Sequence, residues 1–477
     1  MKDFLVVANR LPVVRVVEED GSVDWQRSPG GLVTGLEPVM RAESGAWIGW
    51  DGSPSESAGD VAEPFESDGI YMVPVPLTAR ELEYYYEGFS NATLWPLYHD
   101  VVAPPEYHRH WWDAYRRVNQ RFADAAAEQA SDGATVWVHD YQLQLVPQML
   151  RQLRPDLRIG FFLHIPFPPT ELFDRLPWRR QLLEGLLGAD LVGFQRPGAA
   201  ANFVRLCRSL LGARTHRHHV RAADGRTVRA GAYPISIDFN ELDQLARSPE
   251  TAANTERMRD ELGNPANVIL GVDRLDYTKG IGARIKAFDE LLGEGALSVD
   301  DTVFVQVATP SRERVEQYRI LRQEIETQVG HVNGTHGRIG RVPITYLHTS
   351  FGRKDLAAMF RLATVALVTP LRDGMNLMAK EFVACRYDNT GVLILSEFAG
   401  AADEMRQALL VNPYDMDALK RTILTAVQMP RPEQIKRMRM LRRRVSSFDV
   451  HAWAKTFLAD LNVDPSIAER AARLGQA

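Results

Sequence analysis

Short runs of apolar, mostly β-branched or aromatic residues alternate along the chain with longer stretches of helical periodicity. The runs form two series, residues 4–8, 135–138, 158–163 and 190–194, and then residues 267–272, 302–308, 364–368 and 391–395. Continuous apolar runs of this length are typical of strands buried on both faces, and their alternation with helices is typical of parallel sheets. The pattern predicts an α/β fold.

A polar segment separates the two series of predicted strands. In residues 233–258 a proline-containing extended stretch gives way to a polar helical pattern, so we place a domain boundary near Ser236. The C-terminal region is again helical, and Trp453, Phe457 and Leu461 recur at a spacing that gives one apolar stripe. We expect this last helix to pack on a neighbouring domain.

Length and composition limit the class of protein. A chain of 477 residues predicts two domains of roughly 200 residues each. The formal net charge of −5 gives no basic field of the kind that nucleic-acid binding requires. Two cysteines, Cys207 and Cys385, indicate no disulfide framework, and no window approaches the length of apolar sequence that spans a membrane. We therefore expect a soluble protein of the reducing cytoplasm that binds neither nucleic acid nor membrane.

Polar groups follow the ends of the predicted strands. They are Asn9 and Arg10, then residues 139–142, His164, and residues 273–280, 309–314, 369–374 and 396–401. In open parallel sheets, ligands bind outside the carboxyl ends of the strands. Because both sheets carry polar groups at this edge, we expect a binding cleft where the two edges face each other.

The cations among these groups indicate a phosphorylated ligand. Arg274 and Lys279 lie on one strand-to-helix turn that ends in Gly280, and a guanidinium with a nearby ammonium suits a diphosphate. The alternative is a pair of solvated cations in surface ion pairs. Arg10 is a second cationic site. The glycines Gly30 and Gly31 follow it, although from the dipeptide alone an ordinary turn is favoured.

Histidines and a further arginine leave other possibilities open. His139 and His164 each follow an apolar strand, with Asp140 beside the first, but the chain lacks the short ligand spacings of metal sites, so no metal is expected. The dense cluster at residues 215–220, which includes His216 and His219, is interpreted as an exposed loop without an assigned role. Arg312 opens an amphipathic, charged helix.

Nine motifs occur in one order along the chain: VANRLP, GGL, EYYYEGFSNATLWP, WVHDYQL, RIGFFLHIPFPP, DRLDYTKG, TPSR, TPLRDGMNLMAKE and LSEFAGAA. From about residue 4 to residue 460 the chain closely resembles the trehalose-6-phosphate synthases, glycosyltransferase family 20. The resemblance implies two Rossmann-like domains facing across a cleft, the GT-B architecture. Residues 1–236 would bind the acceptor, with a C-terminal helix, 450–477, packing back on them, and residues 237–449 would bind the nucleotide sugar.

The resemblance also implies a reaction. Glucose would move from a nucleotide diphosphate glucose, UDP-glucose by default, to glucose 6-phosphate with retention of configuration, giving α,α-trehalose 6-phosphate and a nucleoside diphosphate. No cofactor is expected, and we expect a homo-oligomer, either a dimer or a tetramer. A retaining transfer can use a carboxylate nucleophile in a double displacement, for which the sequence singles out no residue, or a same-face route. The family is read as using the same-face route, in which the enzyme orients the sugars and stabilises charge on the leaving diphosphate.

The resemblance assigns roles to individual residues. Those implied for the acceptor sugar phosphate are Arg10, Tyr86, Trp95, Asp140 and Arg312. Those implied for the donor are Gly30, Gly31, His164, Arg274, Lys279, Phe351, Asp373, Leu377, Met378, Ala379, Lys380 and Glu381, where residues 377–380 would offer backbone amides to the diphosphate from a helix N-terminus. Catalytic roles are implied for Asp140, His164, Arg274, Lys279 and Asp373.

Other classes of protein share parts of this pattern. A dinucleotide-dependent oxidoreductase would need a complete glycine fingerprint, which residues 280–285 only half match. A phosphorylase-like enzyme would need pyridoxal phosphate, and a non-catalytic sugar-phosphate sensor would not need the full set of charged positions. The nearest rival is a pseudo-glycosyltransferase that joins a nucleotide-activated cyclitol to a sugar-phosphate-like acceptor. The sequence leaves open the preferred nucleobase and the role of Arg372.

Overall fold

The computed structural model describes residues 1–17, 23–27, 36, 40, 45–56, 63–100 and 103–463. The chain divides into two compact units. The N-terminal unit consists of residues 1–100, 104–235 and 451–477, and the C-terminal unit of residues 101–103 and 236–450. Each of the eight apolar runs lies in a strand to within one residue at its ends, which confirms the predicted α/β fold. No helix among the described residues is both long and apolar enough to cross a membrane.

The N-terminal unit contains fourteen described strands. They are β1 (Lys2–Arg10), β2 (Val13–Val17), β3 (Val23–Arg27), β4 (Ala46–Trp50), β5 (Pro54–Ser55), β6 (Phe65–Ser67), β7 (Ile70–Pro74), β8 (Leu77–Thr78), β9 (Ala130–His139), β10 (Arg158–Phe162), β11 (Leu191–Phe194), β12 (Thr215–His216), β13 (His219–Arg221) and β14 (Thr227–Ala232).

Ten of these strands form one sheet in the order β12-β13-β14-β11-β10-β9-β1-β4-β7-β6. The pairs from β14 to β7 are parallel, and the pairs at both edges are antiparallel. The chain order of the parallel strands reverses between β1 and β9, which is the switch point where doubly wound sheets bind ligands. Arg10 and Asp140 stand at this point.

Helices connect the strands of the N-terminal unit. They are Ala79–Glu81, the π-helical stretch Leu82–Leu94, Trp95–His99, Arg109–Gln129, the 3₁₀ turn Tyr141–Leu143, Val146–Leu153, Thr170–Phe173, Arg179–Leu186, Pro197–Leu211 and Val450–Leu461. The first three of these run on without interruption, so residues 79–99 form one helical segment.

The helix Val450–Leu461 covers part of the N-terminal sheet with the apolar stripe seen in the sequence. Phe457 stacks on Trp137 of β9 with ring centroids 4.5 Å apart, and Trp453 Nε1 donates to Tyr233 O at 3.1 Å. A Cβ at Gly193 would lie 2.6 Å from the Phe457 ring, so glycine on this strand lets the helix approach the sheet. This helix therefore backs the strands whose carboxyl ends carry the candidate site.

The described part of the C-terminal unit contains six strands, all parallel, in the order β17-β16-β15-β18-β19-β20. They are β15 (Asn267–Arg274), β16 (Thr302–Thr309), β17 (Ile344–Leu347), β18 (Val365–Val368), β19 (Val392–Ser396) and β20 (Leu409–Val411). Numbered within the unit, this is the order 3-2-1-4-5-6 of the Rossmann fold, and its switch point lies between β15 and β18. Arg274 ends β15, and Asp373 lies in the loop after β18.

Helices connect the strands of the C-terminal unit, and five of the described ones begin at a side-chain cap. They are Phe239–Arg247, Pro249–Glu261, the 3₁₀ turn Tyr277–Lys279, Ile281–Gly293, Glu316–His336, Arg353–Leu362, Leu377–Cys385, the 3₁₀ turn Gly400–Asp403, Met416–Val427 and Arg431–Ser447. Ser248, for example, accepts a hydrogen bond from Thr251 N at 3.2 Å ahead of a helix that opens with Pro249.

Two local expectations were wrong. The histidine cluster at residues 215–220 is not a loop, because β12 and β13 pair as an antiparallel hairpin at the edge of the sheet. The helix expected to open at Arg312 begins at Glu316. Arg312 has a φ of 49°, so its left-handed backbone cannot belong to a right-handed helix.

Candidate active site

The first predicted site residue, Arg10, lies at the switch point of the N-terminal sheet. Its side chain is exposed, with the guanidinium carbon 4.8 Å from the centroid of the Trp50 ring. The backbone beneath it is fixed, because Trp47 Nε1 donates to Arg10 O at 3.0 Å and Tyr85 OH donates to the buried Asn9 Oδ1 at 2.7 Å. A rigid strand end therefore carries a guanidinium that can reach an anion.

Tyr86 and Trp95 lie on the helical segment that follows β8. Tyr86 is partly buried, and its ring centroid lies 6.3 Å from that of Trp50, the ring beside Arg10. Trp95 is buried and packs on Tyr141, with ring centroids 5.5 Å apart. The structure thus brings Arg10 and Tyr86 together around one tryptophan and places Trp95 deeper, against the turn that follows β9.

Asp140 occupies that turn with an unusual backbone. Its φ of 73° and ψ of 171° lie in a region that costs a non-glycine residue on the order of 1–3 kcal/mol. The conformation is held by two contacts with the neighbouring strand: Asp140 N donates to Phe162 O at 2.8 Å, and Asp140 Oδ1 accepts from His164 N at 3.2 Å. The carboxylate is therefore fixed beside His164 although the two residues are separated by a helix and a strand.

His164 is one half of a histidine pair. Its Nε2 lies 3.1 Å from Nδ1 of His139, which is fully buried, and the two rings stack with centroids 5.3 Å apart. Burial lowers the pKa of His164 to about 3, and burial together with the neighbouring His164 ring holds the pKa of His139 well below its usual range. Both rings are therefore neutral near pH 7, so one of the two facing nitrogens donates the hydrogen bond and the other accepts it. His164 acts there as a fixed polar group and not as a cation.

In the C-terminal unit, Arg274 and Lys279 lie at the two ends of the turn after β15. Arg274 is exposed, whereas Lys279 is buried with its Nζ 2.5 Å from Asp373 Oδ2. The fully buried Arg284 fixes the turn from below, since it donates to Lys279 O at 2.7 Å and to Leu367 O at 2.9 Å. One arginine thus joins the lysine turn to β18.

The loop after β18 presents Asp373. Its Oδ2 accepts from Lys279 and also from Asn376 Nδ2 at 3.2 Å, so the carboxylate lies between a cation and an amide. The loop rests on the turn Gly400–Asp403, where a Cβ at Gly400 would lie 2.0 Å from Gly374 O. Glycine is therefore required for this close approach of two backbones.

The helix Leu377–Cys385 follows this loop, and one of its amides differs from the expectation. Asn376 caps the helix, and its Oδ1 accepts from Ala379 N at 3.2 Å. The sequence interpretation offered the Ala379 amide to a diphosphate, but in the structure this N–H is bonded to the cap. The amides of Leu377 and Met378 precede it in the first turn. Arg372 lies partly buried in the loop before the helix, and its role stays unassigned.

Lys380 and Glu381 point to different surroundings. Lys380 is 1% exposed, and its Nζ pairs with Glu404 at 2.8 Å, which identifies its side chain as structural. Burial raises the pKa of Glu381 to about 7, and Arg353 only partly opposes this. Phe351, partly buried, lies in the segment that joins β17 to the helix beginning at Arg353.

We expect Glu381→Gln to alter the pH dependence of stability. Because the folded pKa lies above the ordinary value of 4.5, the native state holds a proton that the unfolded state loses as the pH rises from 4.5 to about 7. The carboxyl therefore destabilises the wild type by up to roughly 3 kcal/mol above pH 7 and not at all below pH 4.5. The melting temperature of the variant should exceed that of the wild type at pH 8 and approach it near pH 5. Exposed Glu397→Gln is the control, and equal shifts in both variants would contradict the prediction.

Several residues of the site were missed by the sequence interpretation. They are Asp276, Arg284 and Asn376 in the C-terminal unit. Arg284 carried a signal, because it follows Ile281 by three residues and precedes Phe288 by four, which places a charge on the buried face of an apolar helix. Gly30 and Gly31, predicted to approach the donor, lie outside the described residues.

The fold and the polar groups together define a class. Two Rossmann-like α/β units, each with charged groups at its switch point, are typical of the nucleotide-sugar glycosyltransferases of the GT-B fold. Within this class the model of Glycosyltransferase family 20 matches residues 2–463. The chain belongs to this family.

Comparisons with individual proteins agree. A trehalose-6-phosphate synthase of Mycolicibacterium gilvum (strain PYR-GCK) is 59% identical over 466 residues, covering 96% of this chain and 93% of the relative. An α,α-trehalose-phosphate synthase (UDP-forming) of Burkholderia xenovorans, solved with glucose 6-phosphate, has a TM-score of 0.88 at 36% identity, covering 96% of this chain and 100% of that one. An E. coli structure bound with UDP-2-fluoro glucose has a TM-score of 0.88 at 36% identity, covering 97% of this chain and 99% of that one.

Proposed function

We propose that the protein is a retaining glycosyltransferase that moves glucose from UDP-glucose to glucose 6-phosphate and releases α,α-trehalose 6-phosphate and UDP. The observation that carries the proposal is the switch point of the C-terminal sheet, where Arg274 ends β15 near the ion pair of Lys279 and Asp373. The family includes structures solved with glucose 6-phosphate and with UDP-2-fluoro glucose. The N-terminal unit would bind the acceptor and the C-terminal unit the donor.

The residue roles divide between the two units. Arg10 and Arg312 would bind the acceptor phosphate, with Tyr86 as a hydroxyl donor, Trp95 as an apolar wall and Asp140 on an acceptor hydroxyl. His164 and Asp373 would hold the donor glucose, Glu381 the ribose, and Phe351 the base through its backbone. Gly30, Gly31 and the first turn of the helix Leu377–Cys385 would lie close to the diphosphate.

The ion pair between Lys279 and Asp373 suits the proposed reaction. A diphosphate bound by Lys279 would share its ammonium with Asp373, because the two groups already form an ion pair. The carboxylate that orients the glucose and the cation that stabilises the leaving group would then be fixed relative to each other, which reduces the reorganisation needed in the transition state.

The reaction would follow the same-face route. The anomeric hydroxyl oxygen of glucose 6-phosphate forms a bond to C1 of the donor glucose on the face from which the diphosphate departs. The C1–O bond to phosphate breaks, and the acceptor proton passes to the leaving phosphate oxygen. Arg274 and Lys279 stabilise the negative charge that develops on this oxygen. His164, which is neutral near pH 7, offers a polar contact without competing for the proton.

The assay that tests the proposal measures turnover of glucose 6-phosphate with UDP-, ADP- and GDP-glucose in parallel. We expect trehalose 6-phosphate as the product, with the highest kcat/KM for UDP-glucose. NMR of the product reports whether both anomeric centres are α. Turnover with ADP- or GDP-glucose alone would overturn the choice of donor, and no sugar phosphate product with any donor would overturn the activity.

We also place the enzyme in the cytoplasm and expect it to form a homo-oligomer. The two cysteines, Cys207 and Cys385, are free and buried, which suits a reducing compartment. Light scattering of the purified protein would measure the assembly, and a mass equal to that of one chain would overturn the second expectation.

A further inference from the structure

A buried carboxylate, Asp276, lies at the centre of the cationic turn after β15. Its side chain is fully buried, and each of its oxygens has an assigned partner. Asp276 Oδ1 accepts from Thr278 N at 2.9 Å and so caps the 3₁₀ turn that ends in Lys279. Asp276 Oδ2 accepts from Arg312 at 3.3 Å and from Tyr318 OH at 3.1 Å. One carboxylate therefore joins the turn after β15 to the segment after β16.

The surroundings of Asp276 keep it ionised. Burial alone would raise its pKa, but the positive charges of Arg312, Arg274 and Lys279 outweigh burial and hold the pKa below its usual range. A buried charge is tolerated when it is paired and hydrogen-bonded in this way, and removing it leaves the partner cations uncompensated. Arg312 pairs directly with this carboxylate, and its negative charge also acts on Arg274 and Lys279.

Arg312 depends on this carboxylate for its position. Its side chain is 4% exposed, its backbone φ is 49°, and its guanidinium carbon lies 5.4 Å from the centroid of the Tyr318 ring. Tyr318 OH also contacts the guanidinium directly. A guanidinium has several N–H donors, so the bond to Asp276 does not exhaust its capacity to bind a phosphate. The side chain is held by a carboxylate on one side and an aromatic ring on another.

We propose that Asp276 is a positioning residue that presents Arg312 to the acceptor phosphate while it moderates the charge of the diphosphate-binding pair Arg274 and Lys279. The proposal rests on the proposed function, since it takes the roles of these three cations from there. It implies opposite effects on the two substrates. Without the negative charge, Arg312 loses its anchor, whereas Arg274 and Lys279 present more positive charge to a diphosphate.

The variant Asp276→Asn tests this with a readout that a merely structural role would not give. The amide keeps the shape of the side chain but removes its charge, and its single oxygen can no longer accept both from Thr278 N on one side and from Arg312 on the other. We expect the KM for glucose 6-phosphate to rise on the order of tenfold or more, as for loss of a charge-assisted hydrogen bond. The Kd for UDP, measured by titration calorimetry, should be unchanged or lower. Weakened binding of both ligands would overturn the proposal.

A double-mutant cycle with Arg312→Ala separates this proposal from the proposed function. If Asp276 acts through Arg312, then Asp276→Asn should change the KM for glucose 6-phosphate less than about twofold in the Arg312→Ala background. If Arg312→Ala alone leaves that KM unchanged, the role of Arg312 in the proposed function fails. If Arg312→Ala raises the KM, and Asp276→Asn raises it further in that background by the same factor as in the wild type, the positioning role fails.

Tyr318→Phe provides a milder variant should Asp276→Asn not fold. It removes the hydroxyl that donates to Asp276 and contacts Arg312, and it keeps the ring. We expect a rise of a few fold in the KM for glucose 6-phosphate that disappears in the Arg312→Ala background. A rise of the same size in both backgrounds would overturn the proposal.

Discussion

Replacing Arg274 with alanine is expected to lower kcat for sugar transfer by about a thousandfold, the upper part of the range for loss of one preorganised charge-stabilising group. Arg274 ends β15 at the switch point of the C-terminal sheet, and its exposed side chain shares the turn with Lys279. The negative charge on the leaving diphosphate increases from the bound donor to the transition state, so the loss should fall mainly on kcat and less on the KM for the donor.

The matched control is Arg314→Ala. Arg314 is an exposed arginine in the same unit, in the segment after the neighbouring strand β16. Steady-state kinetics of nucleotide release should show near-wild-type kcat for this variant, with similar melting temperatures for both. A kcat for Arg274→Ala within tenfold of the wild type would refute the role of Arg274. An equal loss of kcat in Arg314→Ala would show that the effect comes from the net positive charge of this surface and not from the position of Arg274.

The sequence predicted the strands and the polar residues at their ends because both are local features. Arg274 and Lys279 follow an apolar run within a few residues, and so does Asp373. An α/β pattern places such residues at the carboxyl edge of a sheet, and the structure has them there. Their roles in binding and catalysis stay predictions, which the substitutions above test.

Contacts between distant segments could not be predicted in the same way. Lys279 and Asp373 are 94 residues apart, and their ion pair depends on β15 and β18 being neighbours, which a single sequence does not state. The sequence did not indicate that Asn376 would have a φ of 80°, because asparagine also occurs in ordinary turns and caps. The burial of Asp276 likewise depends on Tyr318, which lies on a helix after the next strand.

Gly280, the residue after Lys279, has both a local role in a turn and a role in a contact with a distant segment. Gly280 ends the 3₁₀ turn and begins the helix Ile281–Gly293 with a φ of 67°. Its missing side chain also lets the turn touch the neighbouring strand end, since a Cβ would lie 2.3 Å from Thr369 O. The adjoining bond from Leu371 N to Thr278 O, at 2.7 Å, fixes the same contact. The turn of Lys279 and the loop of Asp373 are thus joined through their backbones.

We therefore expect Gly280→Ala to destabilise the protein by about 3–4 kcal/mol, of which roughly 1–2 kcal/mol is the left-handed conformation and the rest the clash. The clash must separate Lys279 from Asp373, so kcat should fall by about a hundredfold. Gly295→Ala is the matched control, because Gly295 has a φ of 69°, follows the other end of the same helix and has no atom within 4 Å of a built Cβ. Gly295→Ala should therefore lose only the roughly 1–2 kcal/mol of stability that comes from the left-handed conformation, and it should keep full activity. Denaturant unfolding and steady-state kinetics of both variants measure the difference, and equal effects would show that the contact with Thr369 does not hold the site.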